Sequence, residues 1–307
     1  MIKTVGLIGL GKMGLRMALH LSERGYTPLA ADINIEAVKT AEKQGILSTT
    51  SIQDLTRKVP KPKVVILSVT AGKPVDSVIK LISPHLSKGD VIIDSGNSFY
   101  KDSQMRARSL KKKGITLLDV GVSGGIGGAR KGACLMIGGD EKTFKKLEPL
   151  FKDLSRDGSY AYFGKSGSGH LVKGFHNLIE YGYLQALSEG VSCLQKVSEK
   201  EKINLDLKNV CKTWNNGSII ESKLVKYLEK ALEQNPDLKG ISGSVFGQSQ
   251  KEMEKLVLLA KQNGIHVPSC KAALDARKKS QKKPTLSGSI TNAVRNVFGG
   301  HKEWAKQ

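Results

Sequence analysis

Lys173, His176, Asn177 and Glu180 stand at i, i+3, i+4 and i+7 in a stretch from His170 to Lys196 that contains no proline. At helical periodicity these four side chains share one face. Their types suit proton transfer. A lysine whose ammonium is disfavoured by burial and positive neighbours acts as a base, and a buried glutamate that keeps its proton acts as an acid. Histidine and asparagine orient hydroxyl or carboxylate oxygens. Leu171, Val172, Phe175, Leu178, Ile179, Tyr183 and Leu184 surround them, so the helix is expected to be mostly buried. Gly174, Gly182 and Gly190 each cost ~1 kcal/mol relative to alanine in a helix interior, and are read as points where another backbone or a ligand comes close. The residues alone leave two readings open, an active-site face and a structural polar seam.

A second chemical signal opens the chain. Residues 2–8 form a β-branched, apolar run that ends in Gly9-Leu10-Gly11-Lys12-Met13-Gly14, followed by an amphipathic stretch through Ser22. That order predicts strand, glycine turn and helix. Gly9 permits the tight turn, Gly11 lets backbone approach a pyrophosphate, and Gly14 lets helix pack on strand. The helix N-terminus offers unsatisfied N–H groups to phosphates. A second strand, Thr27–Ala31, leads into Asp32, where a carboxylate would accept hydrogen bonds from a ribose 2′-OH.

Further strand-like runs at 64–69, 91–94, 115–120 and 133–137 alternate with helix-compatible segments at 34–44, 74–86, 100–113 and 140–153. The alternation predicts an α/β, doubly wound (Rossmann-like) N-terminal domain over residues 1–163, its sheet mainly parallel. Residues 164–307 are expected to form an all-α C-terminal domain. Ligands of doubly wound sheets gather beyond the carboxyl ends of the strands. Three such ends carry small hydroxyls and glycines: Ser68-Val69-Thr70-Ala71-Gly72, Asp94-Ser95-Gly96-Asn97-Ser98 and Gly121-Val122-Ser123-Gly124-Gly125.

Composition sets outer limits. With 307 residues, 39% hydrophobic and 25% charged, the chain suits a globular protein with a sizeable core. No apolar run approaches the ~20 residues of a membrane span, and no secretory signal is evident. The four cysteines, Cys134, Cys193, Cys211 and Cys270, lack metal-site spacing. The expectation is a cytoplasmic protein with no metal and no membrane partner. The formal charge of +21 fits either nucleic-acid binding or the steering of anionic substrates. Its lysines fall in short scattered clusters, which reads best as solvated faces, with no specific nucleic-acid partner.

Taken with these features, the sequence resembles the 6-phosphogluconate dehydrogenases, in particular the shorter branch with a single helical domain. The shared motifs are Gly9–Gly14, Ile93-Asp94-Ser95-Gly96-Asn97-Ser98-x-Tyr100, Gly121-Val122-Ser123-Gly124-Gly125 and Cys134-Leu135-Met136-Ile137-Gly138-Gly139. They continue through Gly169-His170-Leu171-Val172-Lys173, His176-Asn177-x-Ile179-Glu180-Tyr181-Gly182, Trp214-Asn215-x-Gly217-Ser218 and Arg295-x-x-Phe298-Gly299-Gly300-His301. The resemblance implies oxidative decarboxylation of 6-phospho-D-gluconate to ribulose 5-phosphate. Lys173 would be the general base and Glu180 the acid. Asn97, Ser123, Gly124, Gly125, His176 and Asn177 would hold the sugar acid, and Tyr181, Arg277, Arg295 and His301 its phosphate. The cofactor would lie on Gly9, Leu10, Gly11, Lys12, Met13, Gly14, Asp32, Val69, Thr70, Ala71 and Asn97. Asp32-Ile33-Asn34 offers no arginine to a 2′-phosphate, so NAD is expected to be preferred and NADP accepted less well.

The resemblance also implies a homodimer or higher even oligomer. Arg295 and His301 would follow a polar connector, Lys278–Ser289, and complete the neighbour's phosphate site in trans. The stretch Ser242–Ser249 departs from the family's pattern, lacking the basic residue and tryptophan that short members carry there. Two rival readings remain at this stage. A β-hydroxyacid dehydrogenase would share the two-domain plan and a helical lysine, without requiring the His-Asn-x-x-Glu-Tyr run. A non-catalytic nucleic-acid-binding relative would draw support only from the charge.

Overall fold

The computed structural model describes residues 2–247 and 249–300. Its contacts divide the chain into two compact units, Met1–Gly174 and Phe175–Gln307. The first is built on eight strands: β1 (Thr4–Ile8), β2 (Thr27–Ala31), β3 (Leu47–Thr49), β4 (Val64–Leu67), β5 (Val91–Asp94), β6 (Thr116–Ser123), β7 (Ala133–Gly138) and β8 (Ser155–Tyr162). Between them run α1 (Gly14–Glu23), α2 (Ile35–Glu42), α3 (Ile52–Lys58), α4 (Lys73–Ile82), α5 (Tyr100–Lys111), α6 (Gly125–Lys131) and α7 (Glu141–Leu154). The long α8 (Ser168–Lys200) follows, then α9 (Leu207–Trp214), α10 (Lys223–Gln234), α11 (Gln250–Gln262), α12 (Pro268–Lys282) and α13 (Leu286–Gly299).

The strands lie in the order β3-β2-β1-β4-β5-β6-β7-β8. Every neighbouring pair is parallel except β6 and β7, which run antiparallel. The continuous apolar runs behave as parallel strands buried on both faces should. Alternate residues separate accordingly: Leu7, Val64 and Ile66 join one core cluster, while Ile8, Val65 and Leu67 join the other. Local signals start the helices. Asn34 accepts a hydrogen bond from Glu36 N to begin α2, and Asp140 accepts one from Thr143 N to begin α7.

The second unit is all helical among its described residues. Its core gathers Leu184, Leu187 and Val191 of α8, Cys211 of α9, Val225, Leu228 and Leu232 of α10, and Ile290, Ala293 and Val294 of α13. The expected connector at 278–289 is not one. Lys278–Lys282 complete α12, and α13 begins at Leu286, so only residues 283–285 join the two helices. The lysines there read as a polar link because they are exposed, but they sit on a helix capped by its own turns.

Within the first unit, one side chain fixes where α8 begins. Asp119, in the middle of β6, has no exposed surface. Its Oδ1 accepts a hydrogen bond from Gly167 N at 2.7 Å and its Oδ2 one from His170 N at 2.9 Å. A carboxylate placed on the unsatisfied N–H groups of a helix start is favoured by both hydrogen bonding and the helix dipole. Glycines allow the approach: a Cβ at Gly138 would lie 2.6 Å from Gly169 N and 2.8 Å from Asp119 Oδ2.

Replacing Asp119 by asparagine sets an amide donor against a backbone donor. Charged hydrogen bonds contribute about 1.5–3 kcal/mol, so Asp119→Asn is expected to destabilise the chain by about 2–3 kcal/mol in urea unfolding at neutral pH. A loss under about 0.5 kcal/mol would show that the cap is dispensable.

Candidate active site

The glycine turn after β1 has the geometry that its residue types require. Gly9 adopts φ +101°, and a Cβ there would lie 2.8 Å from the carbonyl carbon of Ser68. A Cβ at Gly14 would overlap Gly9 O. Gly11 differs, because a Cβ there would meet nothing within 4 Å among the described residues. No protein atom demands a glycine at that position, which fits a turn kept open for a phosphate group. Met13 gives α1 no side-chain cap. Asp32 is tied to the same turn: its Oδ2 accepts from Leu10 N at 2.7 Å and its Oδ1 from Asn34 N at 2.8 Å. Each carboxylate oxygen retains a lone pair for a further donor. Lys12 is exposed, as is Thr70, while Val69 and Ala71 are half-buried in the loop between β4 and α4. These residues fit a dinucleotide with its pyrophosphate on α1 and a ribose on Asp32.

The loop after β5 brings Asn97 to the same edge. Asn97 holds φ +54°, a left-handed conformation uncommon outside glycine, and its Oδ1 accepts a hydrogen bond from Val122 N at 3.0 Å. Its amide N–H groups are left to donate elsewhere. Gly121, Val122 and Ser123 belong to β6 itself, and the turn begins only at Gly124, with φ +117°. The sequence placed that turn three residues early because glycine and serine read as punctuation. Gly121 is a contact position: a Cβ there would overlap the Cβ of Lys173. Lys173 is thereby held against β6, 5% exposed.

Burial alone does not mark a lysine as a base. Lys63 is also 5% exposed, but its ammonium donates to the carbonyls of Thr56, Arg57 and Val59 at 2.7, 3.1 and 2.6 Å, closing the end of α3. Burial pushes its pKa down from the ordinary lysine value, with Asp90 opposing that shift. What distinguishes Lys173 is its company along α8. In the second unit, His176 Nδ1 lies 3.1 Å from Asn177 Oδ1 and 4.0 Å from Glu180 Oε2. The helix places these groups within two turns of Lys173.

Tyr181 and Arg277 are buried together, the guanidinium carbon 3.3 Å from the ring centroid. A Cβ at Gly247 would lie 2.9 Å from Tyr181 Oη and 3.6 Å from Arg277 Nη1. The altered stretch 242–247 therefore reaches this pair with a bare backbone. Arg295 is 8% exposed within α13, and its Nη1 donates to Asn292 Oδ1 at 2.8 Å. The expectation of Arg295 in a short tail beyond a connector is corrected: it is buried within α13, a helix of the second unit. His301 lies outside the described residues.

One further expectation is corrected and another is narrowed. α8 is not mostly buried, since Phe175, Ile179 and Tyr183 are exposed, Ile179 by 65%. At Gly182 and Gly190 no other backbone comes close, because a Cβ at either would meet nothing within 4 Å among the described residues, so of the two readings of these glycines the backbone one is set aside. The sequence reading missed Asp119, Arg106 and Ser103, and gave no partners to Asp94 or His170; Ser103 Oγ and His170 Nδ1 are 2.7 Å apart in the interior. One signal was available: an aspartate inside an apolar strand run, as in Ile93-Asp94 and Leu118-Asp119-Val120, must find donors when buried. Cys211 is an inert core thiol, its pKa pushed by burial to about 12. Among the described residues, no group of three or more His, Cys, Asp or Glu is placed to hold a metal ion. No described helix is long and apolar enough to cross a membrane.

Comparison with known proteins places these features. Residues 4–164 match the family described as the NAD binding domain of 6-phosphogluconate dehydrogenase, and residues 186–305 match the 6-phosphogluconate dehydrogenase C-terminal domain. YqeC of Bacillus subtilis (strain 168), whose name provisionally assigns it as a 6-phosphogluconate dehydrogenase, is 37% identical over 97% of this chain and 98% of its own length. The NAD(+)-dependent, decarboxylating 6-phosphogluconate dehydrogenase of Haloferax volcanii is 35% identical over 97% of each chain. The Plasmodium falciparum 6-phosphogluconate dehydrogenase structure superposes with a TM-score of 0.78 at 31% identity, covering 94% of this chain and 64% of that one. A nicotinamide-binding Rossmann unit, a helical unit and full-length relatives agree, and the chain belongs to the 6-phosphogluconate dehydrogenase family.

Proposed function

We propose that the protein oxidises and decarboxylates 6-phospho-D-gluconate to ribulose 5-phosphate and CO2, with NAD as the preferred oxidant. The observation that carries this reading is Lys173, buried against Gly121 of β6 and followed two turns later on the same helix by Glu180. Bound nicotinamide supplies a hydride acceptor. Lys173 takes the proton of the C3 hydroxyl as hydride leaves C3, which gives a β-keto acid. The C1–C2 bond then breaks, CO2 departs, and its electron pair moves toward the C3 ketone. Protonated Lys173 returns its proton to that oxygen, forming an enediol. Glu180 delivers a proton to C2, the carbon that CO2 has left and that becomes C1 of the product, and ribulose 5-phosphate results. Asn97, Ser123, Gly124, Gly125, His176 and Asn177 orient the sugar acid, while Tyr181, Arg277 and Arg295 take the phosphate. Because its four cysteines are free, a reducing compartment, the cytoplasm, is the proposed location.

Supplied with 6-phosphogluconate and NAD, the protein is expected to release NADH and CO2 in equal amounts. NADH without CO2, or equal turnover of small unphosphorylated hydroxy acids, would overturn the proposal. Lys173→Met is expected to keep cofactor binding and lower kcat by ~100- to 10,000-fold. Retention of more than about a tenth of normal turnover would remove Lys173 from the role of base.

Asp32 repels a 2′-phosphate and accepts from a 2′-OH, so kcat/KM is expected to be higher with NAD than with NADP. The reverse order would refute the preference.

A homodimer remains part of the proposal, but Arg295 acts from within its own helical unit, and His301 is left as the residue offered to a partner. Chains truncated after Gly300, mixed with Lys173→Met chains, are then expected to regain activity after subunit exchange. No recovery would exclude a contribution in trans.

A further inference from the structure

Arg106 of α5 has no part in the proton transfers proposed above, yet it is 6% exposed and every one of its donor nitrogens is engaged. Nε donates to Asp76 Oδ1 at 2.7 Å. Nη1 donates to Ser98 Oγ at 2.8 Å and to Asp94 Oδ2 at 3.3 Å, and Nη2 donates to Gly72 O at 3.1 Å. These partners belong to two different strand-end loops. Gly72 ends the loop that leaves β4, and Asp76 stands in the first turn of α4. Asp94 and Ser98 flank the loop that leaves β5, with Asn97 between them.

The two loops also touch directly. Ser95 Oγ donates to Leu67 O at 2.7 Å, and a Cβ at Gly96 would lie 2.7 Å from Val69 O. Asp94 Oδ1 accepts from Gly96 N at 3.0 Å and Asp94 Oδ2 from Ser98 Oγ at 2.9 Å, so the carboxylate that Arg106 grips closes the turn in which Asn97 holds its left-handed conformation. Such a conformation persists when its surroundings over-determine it. A guanidinium reaches four acceptors through three nitrogens in one plane, which the single ammonium of lysine does not.

We infer that Arg106 is a positioning residue that locks the β4–α4 and β5–α5 loops together, so that the cofactor groups on Val69–Ala71 and the side chain of Asn97 are presented in one fixed register. Its effect on turnover rests on the dehydrogenase reading above, whereas its effect on cofactor binding does not depend on the substrate.

The test compares Arg106→Lys and Asp76→Asn with the unaltered protein. Readouts are the thermal midpoint, the NADH dissociation constant from fluorescence titration without substrate, and kcat and both KM values with 6-phosphogluconate and NAD. Asp76 is half-exposed, so its replacement tests the clamp without leaving a buried charge. Misplacement of a reacting group by 1 Å costs on the order of 100-fold in rate. Arg106→Lys, assayed well below its midpoint, is expected to show about that loss in kcat and an NADH dissociation constant raised about tenfold, equivalent to about 1.4 kcal/mol. Asp76→Asn is expected to move both in the same direction by about threefold.

A purely structural role would lower the midpoint and the active fraction while the dissociation constant and both KM values stayed put, and that outcome overturns the inference. So does an unchanged Asp76→Asn variant where Arg106→Lys fails to fold. If 6-phosphogluconate is not turned over by the unaltered protein, the functional proposal falls, and the NADH titration still decides the role of Arg106.

Discussion

Two carboxylates sit opposite each other in the middle of the sheet, Asp94 of β5 paired in register with Asp119 of β6, neither with any exposed surface. Burying one charge is costly, and burying two of the same sign in neighbouring strands costs more. The structure tolerates them because each is neutralised by a different device. Asp94 meets the Arg106 guanidinium and the N–H and O–H groups of its own loop. Asp119 meets the start of α8. Both devices demand that a separate element arrive in one position, since a partly satisfied buried carboxylate is worse than none. The two acids thus convert an electrostatic penalty into geometric precision. One fixes the loop that carries Asn97, and the other fixes the helix that carries Lys173.

Glycine completes that precision by omission. A Cβ at Gly121 would overlap Lys173, and one at Gly169 would overlap Asp119 O and Met136 O. Helix and sheet therefore meet at backbone distance, and Lys173 lies only three residues beyond the last N–H that Asp119 accepts. A side chain so near an anchored helix start has little freedom to wander, which is what a site on rigid elements requires.

Much of this was legible in the sequence. The alternation of apolar runs with amphipathic segments yields the doubly wound sheet, because strands buried on both faces must be continuously apolar, as Val64–Leu67 is. The turn Gly9–Gly14 and the spacing of Lys173, His176, Asn177 and Glu180 were readable since each depends on local backbone geometry. What was not readable depends on partners distant in sequence. Arg106 looks like one more charge on a basic helix until Asp76 and Asp94 are brought to it from 30 and 12 residues away. The lysines after Arg277 suggested a linker because composition cannot separate a solvated helix face from a solvated loop. Phe175, Ile179 and Tyr183 suggested burial because apolar type reports a preference, and not whether the same chain supplies a cover.

The length of α8 bears on how the proposed proton transfers divide between two groups. At 1.5 Å per residue, Lys173 and Glu180 are separated by roughly 10 Å along the helix axis. In the proposed mechanism the two groups have separate tasks at adjacent carbons, Lys173 as base at C3 and Glu180 as acid at C2. Side chains on a helix lean toward its N-terminus, which carries Glu180 back toward His176, and the 4.0 Å between His176 Nδ1 and Glu180 Oε2 agrees with that lean. In the proposed mechanism His176 and Asn177, which stand between Lys173 and Glu180 in sequence, orient the sugar acid beside both groups.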